Sequence, residues 1–429
     1  MSPVLPFDII IQIIDILGEN KEADVLKELA LVSHSFLQFC SKHLFATIKL
    51  HGSNSSSKRG FVKLLKSRPD VVNYIRKLTY NFGDNYQSLP LSNDDSLFLP
   101  IVDDDDRPFP PISDDDRLLS SILPNFLRSI PHLNCLTITA SMSDWKKLDS
   151  SLTSALLHLM HLPTINRIDL SFIDNFPLSS LIPCVNLLQL NIFSLRHFHT
   201  HEDDGDSFEI VQSEVMPKLR EFHTSGSDVQ TRKLLHAKMQ DRRPGFNLMS
   251  LRRLSLYVDQ FDEGTSNIRY LLQNAKFLEE LNLPNGLGQS IVGLHDILSP
   301  ILRTLKVLHL TTPLLFPLRL CEELEAMAGH NVLEALTYAI DIGGRETEDD
   351  IGSILQKVGE ILIKPGWSAL KQVSFKVVIA CCSSPKEVTA KLCEVLQSLP
   401  DKYLSHISNS KQLEFNYSAY VVKCIYNRD

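Results

Sequence analysis

The most regular feature of the chain is a short hydrophobic pattern that recurs from Asn73 onward. In each copy an apolar residue is followed by two variable residues, an apolar residue, one variable residue and a further apolar residue. The copies are Ile75-Leu78-Tyr80, Leu133-Leu136-Ile138, Ile165-Ile168-Leu170, Val185-Leu188-Leu190, Leu219-Phe222-Thr224, Leu251-Leu254-Leu256, Leu278-Leu281-Leu283, Leu305-Leu308-Leu310, Leu333-Leu336-Tyr338 and Leu370-Val373-Phe375, with half a copy at Leu413-Phe415. Recurrence of one pattern at intervals of this size indicates a stacked repeat.

Side chains alternate between the two faces of a β-strand. In the copy that begins at Leu251, Leu254 and Leu256 therefore point inward, whereas Arg253 and Tyr257 point to the opposite face. Segments with helical spacing separate several copies, at Ile291 to Leu298, Leu320 to Met327, Ile351 to Ile363 and Val388 to Leu399. We therefore expect an α/β protein in which each unit, a strand plus a helix, shares its core with its neighbours.

The N-terminal segment has a different pattern. From Ile9 to Leu17 the apolar residues cover about 220° of a helical wheel, far more than the stripe of an ordinary surface helix. Pro6 fits a helix start and Gly18 a helix end. A second helical pattern runs from Val25 to Val32. A helix this apolar needs cover from more than one side, either from its own bundle or from a second protein.

These N-terminal residues resemble an F-box, the helical motif that binds the adaptor subunit of cullin–RING ubiquitin ligases. The matching residues are Leu5-Pro6, Asp8, the ladder Ile9, Ile13, Ile14 and Leu17, the run Leu29 to Ser33, Phe36, and the closing HLFATIKL from His43 to Leu50. The later copies resemble long leucine-rich repeats, spaced 27 residues apart at Leu251, Leu278 and Leu305, although most copies lack the asparagine that usually follows the strand. Together they resemble the leucine-rich-repeat class of F-box proteins, with an irregular solenoid.

The resemblance implies a non-catalytic substrate receptor that needs no cofactor. The adaptor, and cullin through it, would be partners, and the adaptor-binding residues would be Leu5, Pro6, Ile9, Ile13, Leu17, Leu29, Val32 and Phe36. An unknown target protein would bind the outward strand positions Arg253, Tyr257, Glu280, Asn282 and His309. Arg253 and Glu280 occupy the same position in consecutive repeats, so they could instead pair with each other.

The expected organisation has three parts. Residues 1–50 form the adaptor-binding helices, 51–72 a linker and the first helix of the array, and 73–429 the repeat domain. Between Asn81 and Arg117 there are ten aspartates and two arginines, a local charge of −8 that equals the net charge of the whole chain. This composition predicts an acidic, disordered insertion at about 83–117.

Other classes of function find little support in the sequence. The neutral body offers no basic stripe to nucleic acid, and no apolar run is long enough to span a membrane, so we expect a cytoplasmic or nuclear protein. Eight cysteines at irregular spacings indicate reduced thiols. His197, His199 and His201 alternate, but without a second ligand pair they predict a polar loop rather than a metal site. No catalytic motif is present.

Two alternatives stay open. The chain could be a repeat scaffold that binds proteins without joining a ligase, its N-terminal helices serving as an end cap, because repeat arrays need atypical terminal units. It could also be an enzyme of an unrecognised type.

Overall fold

The computed structural model of the 429-residue chain divides into two compact units. It describes residues 6–51, 55–82, 114–195, 210–211, 215–226, 228–239, 244–257, 261–284, 293–313, 317–342, 348–381 and 386–423. The architecture is α/β: a helical N-terminal region is followed by parallel strands that alternate with helices.

The first unit contains three N-terminal helices and a ladder of five parallel strands. Its elements are α1 (Phe7–Glu19), α2 (Ala23–Val32), α3 (His34–Leu44), β1 (Thr47–His51), α4 (Ser55–Ser67), β2 (Lys77–Asn81), α5 (Asp114–Arg128), β3 (Cys135–Asp144), α6 (Ser150–Met160), β4 (Arg167–Asp174) and β5 (Gln189–Phe193). A separate two-stranded ribbon joins β6 (Ile210–Val211) to β8 (Lys238–Met239). The five strands pair in chain order.

The second unit contains a ladder of seven parallel strands, also paired in chain order. Its elements are β7 (Glu221–Ser225), α7 (Asp228–His236), β9 (Arg253–Leu256), α8 (Phe261–Asn274), β10 (Glu280–Leu283), α9 (Leu294–Leu298), β11 (Val307–Pro313), α10 (Pro317–Met327), β12 (Ala335–Ile342), α11 (Glu348–Leu362), β13 (Gln372–Cys381), α12 (Lys386–Tyr403), α13 (Ser405–Ser408) and β14 (Glu414–Lys423).

The recurring pattern marks the core of both ladders. In β10, Leu281 and Leu283 are fully buried, as is Leu278 in front of the strand. Leu281 stands in register with Leu254 of β9 and Leu308 of β11, both also buried. The sequence prediction of inward-facing apolar rows is confirmed for β2, β3, β4, β7, β9, β10, β11, β12 and β13, and the helices predicted between the later copies are present.

The sequence predicts one copy of the pattern in the wrong frame. The predicted copy is Val185-Leu188-Leu190, but Val185 and Leu188 are exposed, and the buried residues around β5 are Leu187, Leu190 and Ile192. The two frames differ by two residues, which preserves strand alternation, so the apolar run alone could not separate them.

A further strand lies where the sequence analysis placed the end of the helical motif. β1 pairs in parallel with β2, and its Leu50 is buried. Phe45, Ile48 and Leu50 have the spacing of the recurring pattern, so the signal was present in the sequence. The ladder thus begins directly after α3, and the polar segment that follows is helical from Ser55 onward.

Most of the predicted acidic insertion, residues 83–113, lies outside the described residues, whereas 114–117 begin α5. The alternating histidines His197, His199 and His201 also lie outside them. Within the residues that the structure describes, no helix has the length and apolarity required to cross a lipid bilayer.

Replacement of Leu281 by alanine tests the shared core. Leu281 is fully buried between neighbouring strands, so we expect a loss of about 2–5 kcal/mol in the free energy of unfolding, measured by chemical denaturation. Asn282→Ala, at the adjacent outward position, should change it by less than about 0.5 kcal/mol. Equal effects of the two substitutions would contradict the assigned faces.

Candidate functional site: an exposed apolar surface on the N-terminal helices

The N-terminal helices form a small bundle with its own core. Ile14 of α1, Leu26 of α2 and Cys40 of α3 are buried together at its centre. Around them pack the partly buried residues Ile10, Leu17, Leu29, Ala30, Phe36, Phe39 and Leu44. All three helices therefore contribute to one core. The inner half of the apolar arc of α1 is buried in that core.

The outer half of that arc remains exposed. Ile9, Ile13 and Ile16 keep 41%, 43% and 56% of their surface accessible. Their spacing of four and three residues aligns them on one helix face, because positions three and four apart are neighbours on a helix. We call these three residues the α1 stripe. Exposed apolar side chains grouped in this way, unlike singly scattered ones, mark a candidate surface for contact with another molecule.

A second exposed apolar pair lies where α2 ends. Leu31 and Val32 keep 88% and 68% of their surface accessible, and we call them the α2 pair. Ser33 follows immediately in an extended conformation, and its side chain accepts a hydrogen bond from the backbone N–H of Phe36, 3.3 Å away. This cap starts α3, so the α2 pair is held in the turn between two helices.

A polar contact fixes α1 against α3. The carboxylate of Asp15 lies 2.6 Å from Nζ of Lys42 and 2.8 Å from Nε2 of His43. These hydrogen bonds, the one from Lys42 first, hold the pKa of Asp15 below its ordinary value. Gly18 sits directly against the imidazole of His43: a Cβ at position 18 would lie 2.1 Å from its Nδ1. The bundle therefore holds the stripe in a defined orientation.

The structure separates the residues predicted to bind the adaptor into two groups. Pro6, Ile9, Ile13 and Val32 are exposed, whereas Leu17, Leu29 and Phe36 are partly buried against the bundle core. Leu5 lies outside the described residues. The sequence does not separate residues that could contact a partner from residues that support the bundle. In the structure the exposed and the supporting side chains are different residues.

The predicted set did not include two of the most exposed apolar residues, Ile16 and Leu31. Ile16 could have been found from its helical spacing, three residues after Ile13. Leu31 lies next to Val32 and gave no separate signal, because its exposure depends on where α2 stops.

The outward positions predicted to bind a target lie on neighbouring strands of the second unit. Arg253 Nη1 lies 2.8 Å from Oε1 of Glu221, and its Nε lies 3.3 Å from Oε2 of Glu280. The pairing of Arg253 with Glu280, the alternative reading of these positions, is therefore present. Nε2 of His309 lies 3.8 Å from Oε1 of Glu280. Tyr257 and Asn282 are half-buried on the same stretch.

Burial sets the charge of His309. It lowers the pKa of the imidazole, while the Glu280 carboxylate raises it and Lys376 lowers it further. The lowered pKa favours the neutral form of the His309 imidazole, which weakens its ionic attraction to Glu280. Arg253, between two glutamates, supplies the positive charge of this row.

A second row of alternating charge lies just before the strands. Arg252 Nη1 is 3.5 Å from Oε1 of Glu279, whose Oε2 is 3.6 Å from Nζ of Lys306. Further along, Lys371 Nζ lies 2.6 Å from Oε2 of Glu334. The charges of this row alternate between positive and negative along the five consecutive strands β9 to β13. Much of this charge is therefore paired within the chain.

The outward face of the first unit is likewise hydrogen-bonded within itself. The Asp169 carboxylate accepts from Thr137 Oγ1 at 3.1 Å, from Arg167 Nε at 3.1 Å and from Asn191 Nδ2 at 2.5 Å. Its neighbours on three strands thus satisfy this carboxylate. The described residues include no group of histidine, cysteine and carboxylate side chains that could hold a metal ion.

Comparisons with known proteins add no assignment. No protein-family model matches the chain, and no curated protein matches its sequence. The geometry of the bundle and its exposed residues therefore carry the functional argument.

Gly18→Ala tests the packing of α1 on α3. Alanine favours a helix over glycine by about 1 kcal/mol, but here its Cβ would displace the His43 ring from Asp15, so we expect a lower unfolding temperature and faster hydrogen exchange in α1. In a His43→Ala background the clash is gone and the same substitution should stabilise. The same sign of effect in both backgrounds would contradict the contact.

Proposed function

We propose that this chain is a substrate-receptor subunit of a cullin–RING ubiquitin ligase. In this proposal the N-terminal bundle binds the adaptor, and a leucine-rich-repeat-like array, curved as a solenoid, holds a target protein. The chain itself would carry no catalytic residue and would work in the cytoplasm or nucleus.

The observation that carries the proposal is the division of α1 into two apolar faces. One face, with Ile14, fills the bundle core, while the α1 stripe stays in solvent although the chain folds a bundle around the same helix. Fully burying one such side chain is worth about 1.5–3 kcal/mol. The side chains of the α1 stripe are already about half covered, so a partner that covers the stripe and the α2 pair gains part of that free energy from each of several side chains.

The order of the exposed residues also fits the resemblance to the F-box. Pro6, Ile9, Ile13 and Val32 occupy positions that the motif implies for adaptor binding, and all four are exposed. The resemblance implies adaptor contact for Leu17, Leu29 and Phe36 as well, but these three residues are partly buried against the bundle core and support the bundle from inside. We accordingly assign adaptor contact to the first group, with Ile16 and Leu31 added.

The proposed mechanism is proximity. A receptor raises the local concentration of a lysine-bearing target beside an enzyme loaded with ubiquitin, which turns an encounter between two molecules into a reaction within one assembly. Within the first unit the bundle is joined closely to its ladder: α3 leads into β1 through Phe45 and Ala46 only, and the Ala46 carbonyl accepts from the backbone N–H groups of Arg76 and Lys77 at 2.9 Å.

We still propose that the outward strand positions bind the target. Their contacts within the chain change how much each residue could contribute. Arg253 and Glu280 already bond within the chain, so a target would have to compete for them. Surface ion pairs of this kind are usually worth less than about 1 kcal/mol, so the competition is weak. Asn282 and His309 add polar groups beside that row, and Tyr257 adds a half-buried aromatic ring.

The test of adaptor binding replaces Ile9, Ile13 and Ile16 by alanine together and measures affinity for the purified adaptor by calorimetry. A truncated interface anchor costs about 2–4 kcal/mol, so we expect affinity to fall at least about a hundredfold. All three side chains are substantially exposed, so the unfolding temperature should change little.

The matched control is Gln12→Ala, an exposed polar position on the same helix, which should bind as the wild type does. If the wild-type chain does not bind the adaptor, or the triple variant binds it unchanged, the proposal is wrong.

A second candidate function is a scaffold that joins no ligase, with the helices as an end cap. It is favoured by one observation: α3 runs directly into β1, the first strand of the ladder, so the bundle stands where a cap would stand.

Deletion of residues 1–44, which keeps β1 and Ala46, distinguishes the two functions. We expect the truncated chain to stay monodisperse and cooperatively folded while it loses the adaptor, as measured by circular dichroism and light scattering. An end cap covers core side chains, so its loss should instead cause aggregation. An aggregated product would favour the scaffold.

A further inference from the structure

The body of the chain is neutral in sum, but its charge is concentrated at one place in the first unit. Between residues 49 and 77 there are eight basic residues and a single acidic one, Asp70, a local charge of +7. Two of the basic side chains are engaged within this segment. Arg68 donates to both carboxylate oxygens of Asp70, at 3.0 and 2.7 Å, and Arg76 donates to two backbone carbonyls. Four of the remaining six lie on α4, at positions 58, 59, 63 and 66.

The packing of α4 places a row of these cations in solvent. The apolar side chains of its inner face are buried: Phe61, Val62 and Leu65. Arg59, Lys63 and Lys66 are exposed and follow one another at intervals of four and three residues, so they lie together on the outer face. We call these three residues the α4 cationic face. Lys63 and Lys66 form no ion pair with any residue that the structure describes.

This placement of charge does not stabilise the helix. Like charges three or four positions apart on a helix repel each other. The N-terminus of a helix favours acidic residues, because its backbone N–H groups carry partial positive charge. The first turn of α4 has no acidic residue but contains Lys58, and Arg59 follows directly. Of the four cations only Lys66, in the last turn, complements the helix dipole, so a role outside the fold accounts for the others better.

Other helices that connect parallel strands have a different charge. α10 carries one arginine and three glutamates, and α11 carries one lysine and four acidic residues. Excess positive charge is therefore not a general property of these connecting helices, and it distinguishes α4 from them.

A glycine beside the α4 cationic face has no structural explanation within the described chain. Gly60 is exposed, and a Cβ built there meets no described atom within 4 Å. Glycine in a helix interior costs stability relative to alanine, so the fold alone would favour alanine at this position. Gly60 precedes Lys63 by three residues and so borders the face. The missing side chain allows the backbone of another molecule to approach the helix closely.

We propose that the α4 cationic face binds an acidic segment of a partner protein, whose backbone passes beside Gly60. Neighbouring positions of the face lie about 5–6 Å apart. Alternate residues of an extended chain lie about 6.6 Å apart, and residues three or four apart on a helix have a similar spacing, so carboxylates at either interval match the row. The face shares no residue with the apolar surface of the bundle, so this inference does not depend on adaptor binding.

Nucleic acid fits the face less well than an acidic protein segment. The exposed positions of α4 that the structure describes include no aromatic side chain on which a base could stack. The face covers about 10 Å of helix, which is short for the roughly six to ten phosphate contacts that many duplex-binding proteins make.

The first test measures binding of the full chain to a short fluorescent poly-aspartate peptide by anisotropy. We expect saturable binding that weakens as salt rises, because ions screen exposed charges. Replacement of both Lys63 and Lys66 by glutamate should weaken binding at least about tenfold, since two attractions become repulsions. Both side chains are exposed, so circular dichroism should show an unchanged fold.

The matched control replaces Lys146 and Lys147, two exposed lysines of the same unit, by glutamate. The change in net charge is identical, so this variant should bind the peptide as the wild type does. Equal losses in the two double variants, or a wild type that does not bind, would overturn the proposal. Tighter binding of a DNA oligonucleotide of equal charge would overturn it in favour of nucleic acid.

The acidic residues of the chain itself are a rival occupant of the face. Residues 103–106, four aspartates outside the described residues, can be replaced by asparagine. We expect this variant to bind the peptide with the affinity of the wild type. A several-fold gain in affinity would show that these aspartates compete for α4, and it would overturn the assignment to a partner protein.

Gly60→Leu tests the close approach of the partner backbone. Leucine forms helices better than glycine and its Cβ meets open space, so the unfolding temperature should rise while affinity for the peptide falls several-fold. Gly60→Ala should stabilise the helix as well but weaken binding less, because its side chain is shorter. Unchanged affinity in the stabilised Gly60→Leu variant would overturn the path proposed for the partner.

Discussion

The structure depends on rows of inward apolar side chains shared between neighbouring parallel strands. Leu254, Leu281 and Leu308 stand in register, and each is fully or almost fully buried because the strands on both sides complete its surroundings. No strand could bury its own leucine alone, so each unit is stabilised by its neighbours. This mutual dependence explains why strand-and-helix repeats of unequal length fold together. The rows of strand side chains must align, whereas the connecting helices need only cover them.

The same in-register stacking controls the polar positions. Equivalent residues on adjacent strands lie about 4.8 Å apart, so a column of like charges would repel along its whole length. The chain avoids this by alternating sign, with Arg252, Glu279 and Lys306 in one row and Glu221, Arg253 and Glu280 in another. These ion pairs therefore favour the observed register, and a prominent position on the outer face does not by itself identify a binding residue.

Sequence periodicity predicted most of the ladder because spacing and burial express the same constraint. It failed where an apolar run permits two frames, as at Val185 and Leu188, whose exposure in place of Leu187 depends on where β5 begins. Within the bundle, the sequence identified α1 as too apolar for one interface. Helical spacing places Ile16 on the same face as Ile9 and Ile13, but it does not show which side of the apolar arc is exposed, because that follows from how α2 and α3 pack against α1.

The bundle poses a physical question, namely why a stable fold leaves apolar surface uncovered. In α1 the helix is held in place by Asp15 and His43 while the α1 stripe faces solvent, so its exposure is not a result of loose packing. The exposed side chains belong to an ordered framework, and rigid apolar surfaces lose little conformational entropy when another protein covers them. We therefore interpret these ordered, exposed apolar side chains as binding surfaces and not as packing defects.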